Sequence, residues 1–241
     1  GEADMIAMGR ALISDPDWPN KVKAGEGGKI RRCIACCHCF DRAFGHLPIE
    51  CSINPELGRD MTFPEPCKAP RKVLVIGGGP AGMQTAITAA ALGHRVTIIE
   101  KGRELGGRLL SACAPPFKAE IIFLRDYLVS QIEEHGIAVM MERDDLESVY
   151  EALKPDVAVL AGGAEPVILE MWRPLMGLRA FTAEEVLLGR VIDAKEVVVV
   201  GGGLVGCETA DFLSQHGYNV TIVEIAHRIA SDVGISNRWG L

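Results

Sequence analysis

The sequence predicts an α/β fold with parallel strands, and three observations indicate it. A continuous apolar run at residues 73–76 precedes a glycine-rich turn and a helical stretch, which is typical of a strand buried on both faces of a parallel sheet. The same succession begins again at residue 197. Residues 73–100 and 197–224 align without gaps and are identical at nearly half of their positions, so the chain contains a duplicated strand–turn–helix–strand unit.

The composition of the 241 residues is that of a globular protein, with 48% hydrophobic and 24% charged residues. The excess of acidic over basic residues, 32 to 25, argues against a nucleic-acid partner, since phosphate backbones require clustered Lys and Arg. No apolar run approaches the roughly 18 residues of a membrane span, and the first residues lack the basic segment of a signal peptide. Eight cysteines without such a signal indicate a reducing compartment, and we expect the cytoplasm.

Four regions differ in composition, and each predicts a domain or part of one. Residues 1–14 are apolar, and residues 15–70 are rich in Gly, Pro and Cys without the periodic runs of a large core, so we expect a metal cluster to order them. Residues 71–190 are expected to form a first nucleotide-binding domain, and residues 191–241 the start of a second. Because the second is unfinished and no initiator Met is present, we expect a piece of a longer enzyme.

Further elements follow from apolar periodicity and from the glycines that interrupt it. We predict helices at residues 83–92 and 118–135, each ended by a glycine, a strand at 96–99, and a second buried strand at 157–160.

The first glycine-rich turn fits the pattern G-x-G-x-x-G of dinucleotide-binding units. Gly77 permits the tight turn, Gly79 lets the backbone approach a pyrophosphate at the helix N-terminus, and Gly82 allows close helix–strand packing. Glu100, at the end of the next strand, is placed to bond a ribose 2′-hydroxyl. A glycine loop without a ligand is the alternative, and the strand, helix and acidic residue around the motif argue against it.

Two basic residues and a segment of small residues are further candidates at this turn. Arg108, which follows two glycines, offers a fixed cation near the pyrophosphate, and Lys118 lies ten residues further on; a solvated surface position also suits either side chain. Residues 161–163 (Ala-Gly-Gly) end a predicted strand and suit a chain that passes close to the cofactor.

The second glycine-rich turn, with Gly201, Gly203 and Gly206, follows a run of valines and opens a helix. Glu224 ends the next strand, where a carboxylate accepts hydrogen bonds from ribose hydroxyls and repels a 2′-phosphate. The sequence therefore favours NAD(H) over NADP(H), although Arg228 would soften that repulsion.

The cysteines predict a metal site. Cys33, Cys36 and Cys39 place three thiolates on one tight loop and Cys51 can return as the fourth ligand, which fits a [4Fe–4S] cluster and requires Cys37 to point elsewhere. Structural zinc is the competing interpretation, because His38 and His46 are available, although zinc sites usually pair two separated hooks. Cysteines that bind no metal are the third interpretation. The remaining cysteines are assigned structural roles: Cys67, Cys113 and Cys207.

A family resemblance rests on these motifs read together. The segments 33–42 (CIACCHCFDR), 51–55 (CSINP) and 75–82 (VIGGGPAG) resemble the bacterial 2,4-dienoyl-CoA reductase and enoate reductase group, which are NADH:flavin oxidoreductases of the Old Yellow Enzyme superfamily. The resemblance covers essentially the whole chain. It implies a Rossmann-like FAD/NAD(P)-binding fold of the pyridine nucleotide-disulfide oxidoreductase type, preceded by a cysteine-rich cluster segment and the tail of a TIM barrel.

The resemblance also implies roles for residues. Residues 5–13 would be the last strand and phosphate-binding turn of an FMN-binding barrel, with Gly9 and Arg10 on the FMN phosphate. FAD contacts are implied at Ala81, Glu100, Arg108 and Lys118. Electrons in the family pass from NAD(P)H to FAD, through the cluster to FMN, and then to an activated C=C bond of an unsaturated acid or CoA thioester. No catalytic acid or base is expected in this chain, which alone should lack ene-reductase activity.

One spacing departs from that group. Two residues rather than three separate Cys36 from Cys39, which resembles relatives of trimethylamine dehydrogenase. Those relatives have lost the second fingerprint, whereas it is intact here, so the NADH-fed reductase is favoured. An amine dehydrogenase and a nucleotide- or zinc-binding module without redox activity are the alternatives, and nothing in the sequence indicates an oligomeric state.

Overall fold

The computed structural model describes residues 3–58 and 67–234, which fall into two compact units. The first unit comprises residues 3–58, 67–109 and 122–163, and the second comprises residues 110–121 and 164–234. Residues 164–190 thus lie in the second unit, although the sequence assigned them to the first nucleotide-binding domain; the domain boundaries themselves stay a prediction. No helix in the described part of the chain is long and apolar enough to cross a membrane.

The first unit begins with three short helices: α1 (Arg10–Ser14), α2 (Trp18–Lys23) and α3 (His38–Phe44), with a 3₁₀ turn at Gly27–Lys29. Residues 3–8 are irregular, so the strand that the resemblance implied there is not formed. A barrel strand needs hydrogen-bonded neighbours on both sides. Met5 and Ile6 lack such neighbours among the described residues and are 91% and 82% exposed.

The elements of the first repeat and of the chain that follows it alternate between strand and helix. In chain order they are β1 (Lys72–Ile76), α4 (Pro80–Ala91), β2 (Arg95–Ile99), α5 (Leu109–Ala112), α6 (Ile122–Glu134), β3 (Ala138–Met140), α7 (Leu146–Leu153) and β4 (Val157–Leu160). The strands form one parallel sheet in the order β3-β2-β1-β4, with Val73 opposite both Val96 and Val157. The predicted elements are confirmed, and the helix expected from residue 118 starts as a 3₁₀ turn at Ala119–Ile121.

Both faces of this sheet carry a core. On one face, α4 and α6 cover β1 and β2, and the buried residues there include Val75, Met83, Ala86, Ile98 and Leu128. On the other face, Leu74 and Ile99 pack against Val149 of α7. Burial of each such aliphatic side chain contributes about 1.5–3 kcal/mol. The sheet is thereby held rigidly at the end where the glycine-rich turn emerges from β1.

The expectation that residues 157–160 form a buried strand is wrong in one respect. β4 is a strand, but its residues alternate between partly buried and exposed, and Leu160 is 81% exposed. β4 pairs only with β1 among the described strands, so it is an edge strand of the sheet. A run of apolar residues predicts a strand without showing whether both of its faces are covered.

The second unit holds the second repeat. Its elements are a 3₁₀ helix at Glu170–Leu175, α8 (Ala183–Leu187), β5 (Glu196–Val200), α9 (Leu204–Gln215) and β6 (Asn219–Val223). β5 and β6 are parallel, with Val197 opposite Val220, as β1 is to β2. Thr182 and Glu185 form a reciprocal capping box at the start of α8. The duplication predicted from the sequence is therefore a duplication of structure.

Candidate nucleotide and cluster sites

The first glycine-rich turn has the geometry that a dinucleotide requires. Gly77 has φ of +110°, and a Cβ atom there would overlap the carbonyl of Ala161. A Cβ on Gly82 would overlap the carbonyl oxygen of Gly77. Gly79 instead faces open space, with no atom of the described residues within 4 Å of the position of a Cβ, at the N-cap of α4. Two glycines allow the turn to pack, and the third leaves its outer side open for a phosphate.

The carboxylate of Glu100 is bound to the backbone of this turn. It accepts hydrogen bonds from the N–H groups of Gly78, at 2.6 Å, and Gly102, at 2.7 Å. A carboxylate has about four acceptor positions, so these two bonds leave room for a ribose hydroxyl. The bonds fix the side chain at the end of β2, where the ribose contact is predicted.

A second loop lies against the first turn. The N–H of Gly106 donates to the carbonyl of Gly78 at 2.9 Å, and a Cβ on Gly107 would lie 3.0 Å from the Cα of Gly79. Arg108 follows directly and is exposed. Ala81 is exposed in the first turn of α4. The first turn therefore brings together the residues 77, 79, 81, 82, 100 and 108 of the predicted FAD site.

Lys118 belongs to the second unit. Its Nζ lies 2.8 Å from Oε1 of Glu208 in α9, and both side chains are largely buried, at 28% and 17% exposure. The sequence did not predict this ion pair, since the two residues are far apart in the chain. A contact of Lys118 with FAD stays a prediction.

The second turn repeats the geometry of the first. Gly201 has φ of +106°, and a Cβ on Gly206 would overlap the carbonyl oxygen of Gly201. Glu224 accepts hydrogen bonds from the N–H groups of Ala226, at 2.7 Å, and Gly202, at 2.6 Å. These two bonds hold the pKa of Glu224 below its ordinary value, so this side chain is an anion at neutral pH.

One residue at the second turn was missed by the sequence reasoning. The carboxylate of Asp232 lies beside Gly203, with Oδ2 2.9 Å from the position of a Cβ, and the N–H of Leu204 donates to Oδ2 at 3.4 Å. Alignment of the two repeats beyond Glu224 would have found it, because Asp232 falls at the position of Arg108.

Five cysteines line one recess in the first unit: the four predicted ligands Cys33, Cys36, Cys39 and Cys51, and also Cys37. Burial raises the pKa of the Cys39 thiol, and the thiols of the other three predicted ligands lie close enough to raise it further. The fit to a cluster rests on this convergence, because four thiols around one space are the ligand set of a [4Fe–4S] cubane. Among residues 3–58 and 67–234, no three His, Cys, Asp or Glu side chains converge on the position of a single metal ion.

The backbone explains how closely spaced thiols reach the same recess. Ala35 and Cys37 have φ of +53° and +58°, so the chain reverses direction between the cysteines. Cys37 also lines the recess, and its Sγ donates to the carbonyl of Ala35 at 3.4 Å. The expectation that Cys37 is not a ligand stays a prediction.

The remaining cysteines occupy structural positions. Cys207 is buried beside Ala230 and Val233, and its thiol donates to the carbonyl of Gly202 at 3.3 Å. Cys67 and Cys113 each donate to a nearby backbone carbonyl at 3.1 Å. None of the eight cysteines, all of which lie in the described part of the chain, forms a disulfide bond.

The cysteine segment is attached to the nucleotide-binding sheet of the first unit. Arg31 donates to Oδ1 of Asn54 at 2.8 Å and to the hydroxyl of Tyr127 in α6 at 3.2 Å. The guanidinium of Arg32 stacks on the ring of Phe123, 3.8 Å from its centre. Ile53 is buried in the main core of the sheet. These contacts fix Cys33 and Cys51 relative to α6.

Two residues were assigned to FMN from the resemblance. Arg10 lines the cysteine recess, and its guanidinium carbon lies 5.8 Å from the ring centre of Phe40. Gly9 precedes it as the N-cap of α1. Their contact with an FMN phosphate stays a prediction.

Comparison with known proteins identifies the family. The family model described as pyridine nucleotide-disulphide oxidoreductase matches residues 71–238. The chain belongs to this family. The two glycine-rich turns agree with this membership, and the α/β fold predicted from the sequence is confirmed.

Three relatives agree with the resemblance to enoate reductases. An NADH oxidase from Thermoanaerobacter brockii is 44% identical over 100% of this chain and 38% of the relative. A cinnamate reductase from Clostridium sporogenes is 35% identical over 95% of this chain and 34% of the relative. A solved complex of 2-naphthoyl-CoA reductase with 2-naphthoyl-CoA superposes with a TM-score of 0.93 at 31% identity, over 100% of this chain and 37% of that protein. The chain thus spans little more than a third of the length of these relatives.

Proposed function

We propose that this chain is the electron-transfer part of an NADH-dependent flavin and iron–sulfur oxidoreductase that reduces an activated C=C bond. The observation that carries the proposal is the position of the cysteine recess and the open glycine turn on one compact unit. Arg31 and Arg32 attach the cysteine segment to α6, and α6 packs on the same sheet from which the turn emerges. The substrate class is an unsaturated acid or its CoA thioester, and the compartment is the cytoplasm.

The residues of the first turn bind and orient FAD. The backbone at Gly79 and the N-terminus of α4 receive the pyrophosphate, Glu100 receives a ribose hydroxyl, and Arg108 adds positive charge. Lys118 is assigned to the same cofactor. When bound, the flavin exchanges a hydride with a nicotinamide and the cluster carries electrons one at a time.

The cysteine loop holds the cluster through Cys33, Cys36, Cys39 and Cys51. Arg10, which lines the same recess, and Gly9 are assigned to the FMN phosphate. The residues assigned to FAD at the first turn, to the cluster and to FMN all lie in the first unit. No side chain of this chain is assigned to proton transfer to the substrate.

The second turn is assigned to NADH. Glu224 is held by two backbone N–H groups at the end of β6, where its negative charge disfavours a 2′-phosphate. NADH is therefore the expected electron donor in preference to NADPH.

Anaerobic reduction of FAD by NADH and NADPH in the whole enzyme tests this function. We expect NADH to bleach FAD much faster than NADPH does. Glu224→Ala should weaken NADH binding and reduce the difference between the rates with the two nucleotides. Glu100→Ala is the matched control, because it alters the equivalent carboxylate of the first repeat and should lower FAD content without changing the preference between the two nucleotides. Failure of NADH to reduce FAD would contradict the proposal.

A second candidate is an amine dehydrogenase, which the two-residue spacing between Cys36 and Cys39 favours. In that case trimethylamine, and not NADH, would reduce the enzyme, and electrons would leave through a partner protein. The same anaerobic experiment with trimethylamine in place of NADH separates the two functions.

A further inference from the structure

The two repeats correspond beyond their fingerprints. In the first, Leu105 packs on Gly78 and the N–H of Gly106 donates to the Gly78 carbonyl at 2.9 Å. In the second, Ile229 packs on Gly202 in the same way, and the N–H of Ala230 donates to the Gly202 carbonyl at 2.6 Å. The loop that covers the glycine-rich turn therefore makes equivalent contacts in both repeats, and its residues can be compared position by position.

That comparison shows a reversal of charge. Arg108 of the first loop corresponds to Asp232 of the second. The Asp232 carboxylate has its two oxygens 2.9 and 3.3 Å from the position of a Cβ on Gly203 and accepts a hydrogen bond from Leu204, the first residue of α9. At Gly79, the equivalent position, no atom of the described residues lies within 4 Å of that point.

The position that Asp232 occupies is the one that a pyrophosphate needs. The first N–H groups of a helix lack partners in the helix, and together with the helix dipole they attract an anion. Here the carboxylate already serves as that anion. Its hydrogen bond is long at 3.4 Å and its side chain is exposed, while the buried neighbours Ala230 and Val233 hold the backbone of the loop. The side chain can therefore leave without unfolding the loop.

We propose that Asp232 determines the affinity of the second turn, by competing with the nucleotide pyrophosphate for the N-terminus of α9. This inference rests on the proposed NADH role of that turn. The first turn, open and followed by Arg108, retains FAD through every catalytic cycle. The second turn must bind NADH and release NAD⁺ in each cycle, and a carboxylate that displaces the product's pyrophosphate favours this release.

Binding of NAD⁺ to the whole enzyme, measured by titration calorimetry at low ionic strength, tests the proposal. Asp232→Asn keeps the size and the hydrogen-bond acceptor but removes the charge, and we expect it to lower the Kd for NAD⁺ by about fivefold, as for one repulsion between unit charges close together in water. The difference in the Kd for NAD⁺ between Asp232→Asn and the unaltered enzyme should shrink as salt is added. Asp232→Ser should act in the same direction, which covers a failure of the first variant to fold.

Asp211→Asn is the matched control, because Asp211 is an exposed acid in the same helix, away from its N-terminus. It should leave the Kd unchanged. An unchanged or higher Kd in both Asp232 variants, with NADH still reducing FAD, would overturn this inference alone. Failure of NADH to reduce FAD in the unaltered enzyme would overturn the proposed function and this inference with it.

Discussion

Individual glycines at the first turn serve two different purposes. Gly82 has no space for a side chain, because a Cβ would overlap the carbonyl oxygen of Gly77. Gly79 has space on its outer side and an ordinary φ of −75°, so an alanine there fits the protein but projects into the place of the ligand. One glycine is needed for packing and the other for binding.

Alanine at these two positions should therefore have different effects. We expect Gly82→Ala to lower the free energy of unfolding of the apoprotein by about 1–3 kcal/mol, the usual effect of overpacking. Gly79→Ala should have a smaller effect on stability but should lower FAD occupancy. Urea unfolding of the apoprotein and the FAD content of the purified enzyme measure the two properties. Equal losses of stability in both variants would contradict the assignment.

The fingerprint relates each glycine to one backbone requirement, and the packing requirement is seen at Gly77 and Gly82, where a Cβ would overlap a carbonyl. Sequence reasoning did not find Asp232, which lies eight residues after Glu224 in a loop outside the fingerprint. It also did not find the ion pair between Lys118 and Glu208, since contact between residues so distant in the chain depends on how helices and loops pack.

Among the elements, the cysteine segment depends on polar anchors. Asp15 is 3% exposed and accepts hydrogen bonds from Nζ of Lys21, at 2.7 Å, and from the backbone N–H of Arg31, at 2.8 Å. Burial alone would raise the pKa of Asp15, but these bonds more than offset it and hold the pKa below the ordinary 3.8. The anchor therefore stabilises the fold in its ionised form.

The stability that Asp15 contributes should depend on pH. Because the folded pKa is lowered, the contribution is complete above pH 3.8 and is lost as the pH falls through the folded value. Asp15→Asn should lower the free energy of unfolding at pH 7 by about 1.5–3 kcal/mol, and this difference should shrink in acid. Urea unfolding between pH 7 and 3 measures it, with the exposed Asp144→Asn as control. A difference that persists unchanged below the ordinary pKa would contradict this role.

The cysteines of the same segment should differ in their importance for metal binding. Cys39→Ser should abolish most of the cluster, whereas Cys37→Ser should retain about four irons per chain. Iron, zinc and acid-labile sulfide in anaerobically purified enzyme measure the result. Zinc without sulfide in the unaltered enzyme, or equal loss in both variants, would show that the ligand set is wrong.

The strands show how far an apolar run can be interpreted. Residues 73–76 and 157–160 gave the same prediction, and both are strands, but only the first has its central residues buried. Burial depends on whether another element covers each face of a strand, and a local pattern contains no such information. The strand and phosphate-binding turn that the resemblance implied within residues 5–13 are a separate case: residues 3–8 are irregular in the structure, and a barrel strand is stable only beside its neighbours.

For the whole molecule, duplication explains the division of labour. Both units contain the same strand–turn–helix–strand pattern, and each has a carboxylate bonded to its glycine-rich turn. The first unit adds the cysteine segment and an open turn, which suits resident cofactors. The second carries Asp232 at its turn, which suits a nucleotide that comes and goes.

The central claim is that electrons from NADH reach an iron–sulfur cluster held by the cysteine recess. Electron paramagnetic resonance of the whole enzyme, frozen anaerobically after mixing with NADH, tests it most directly. We predict that bleaching of FAD is accompanied by the signal of a reduced [4Fe–4S] cluster, and that this signal disappears in Cys39→Ser. Bleaching of FAD without any cluster signal in the unaltered enzyme would contradict the account.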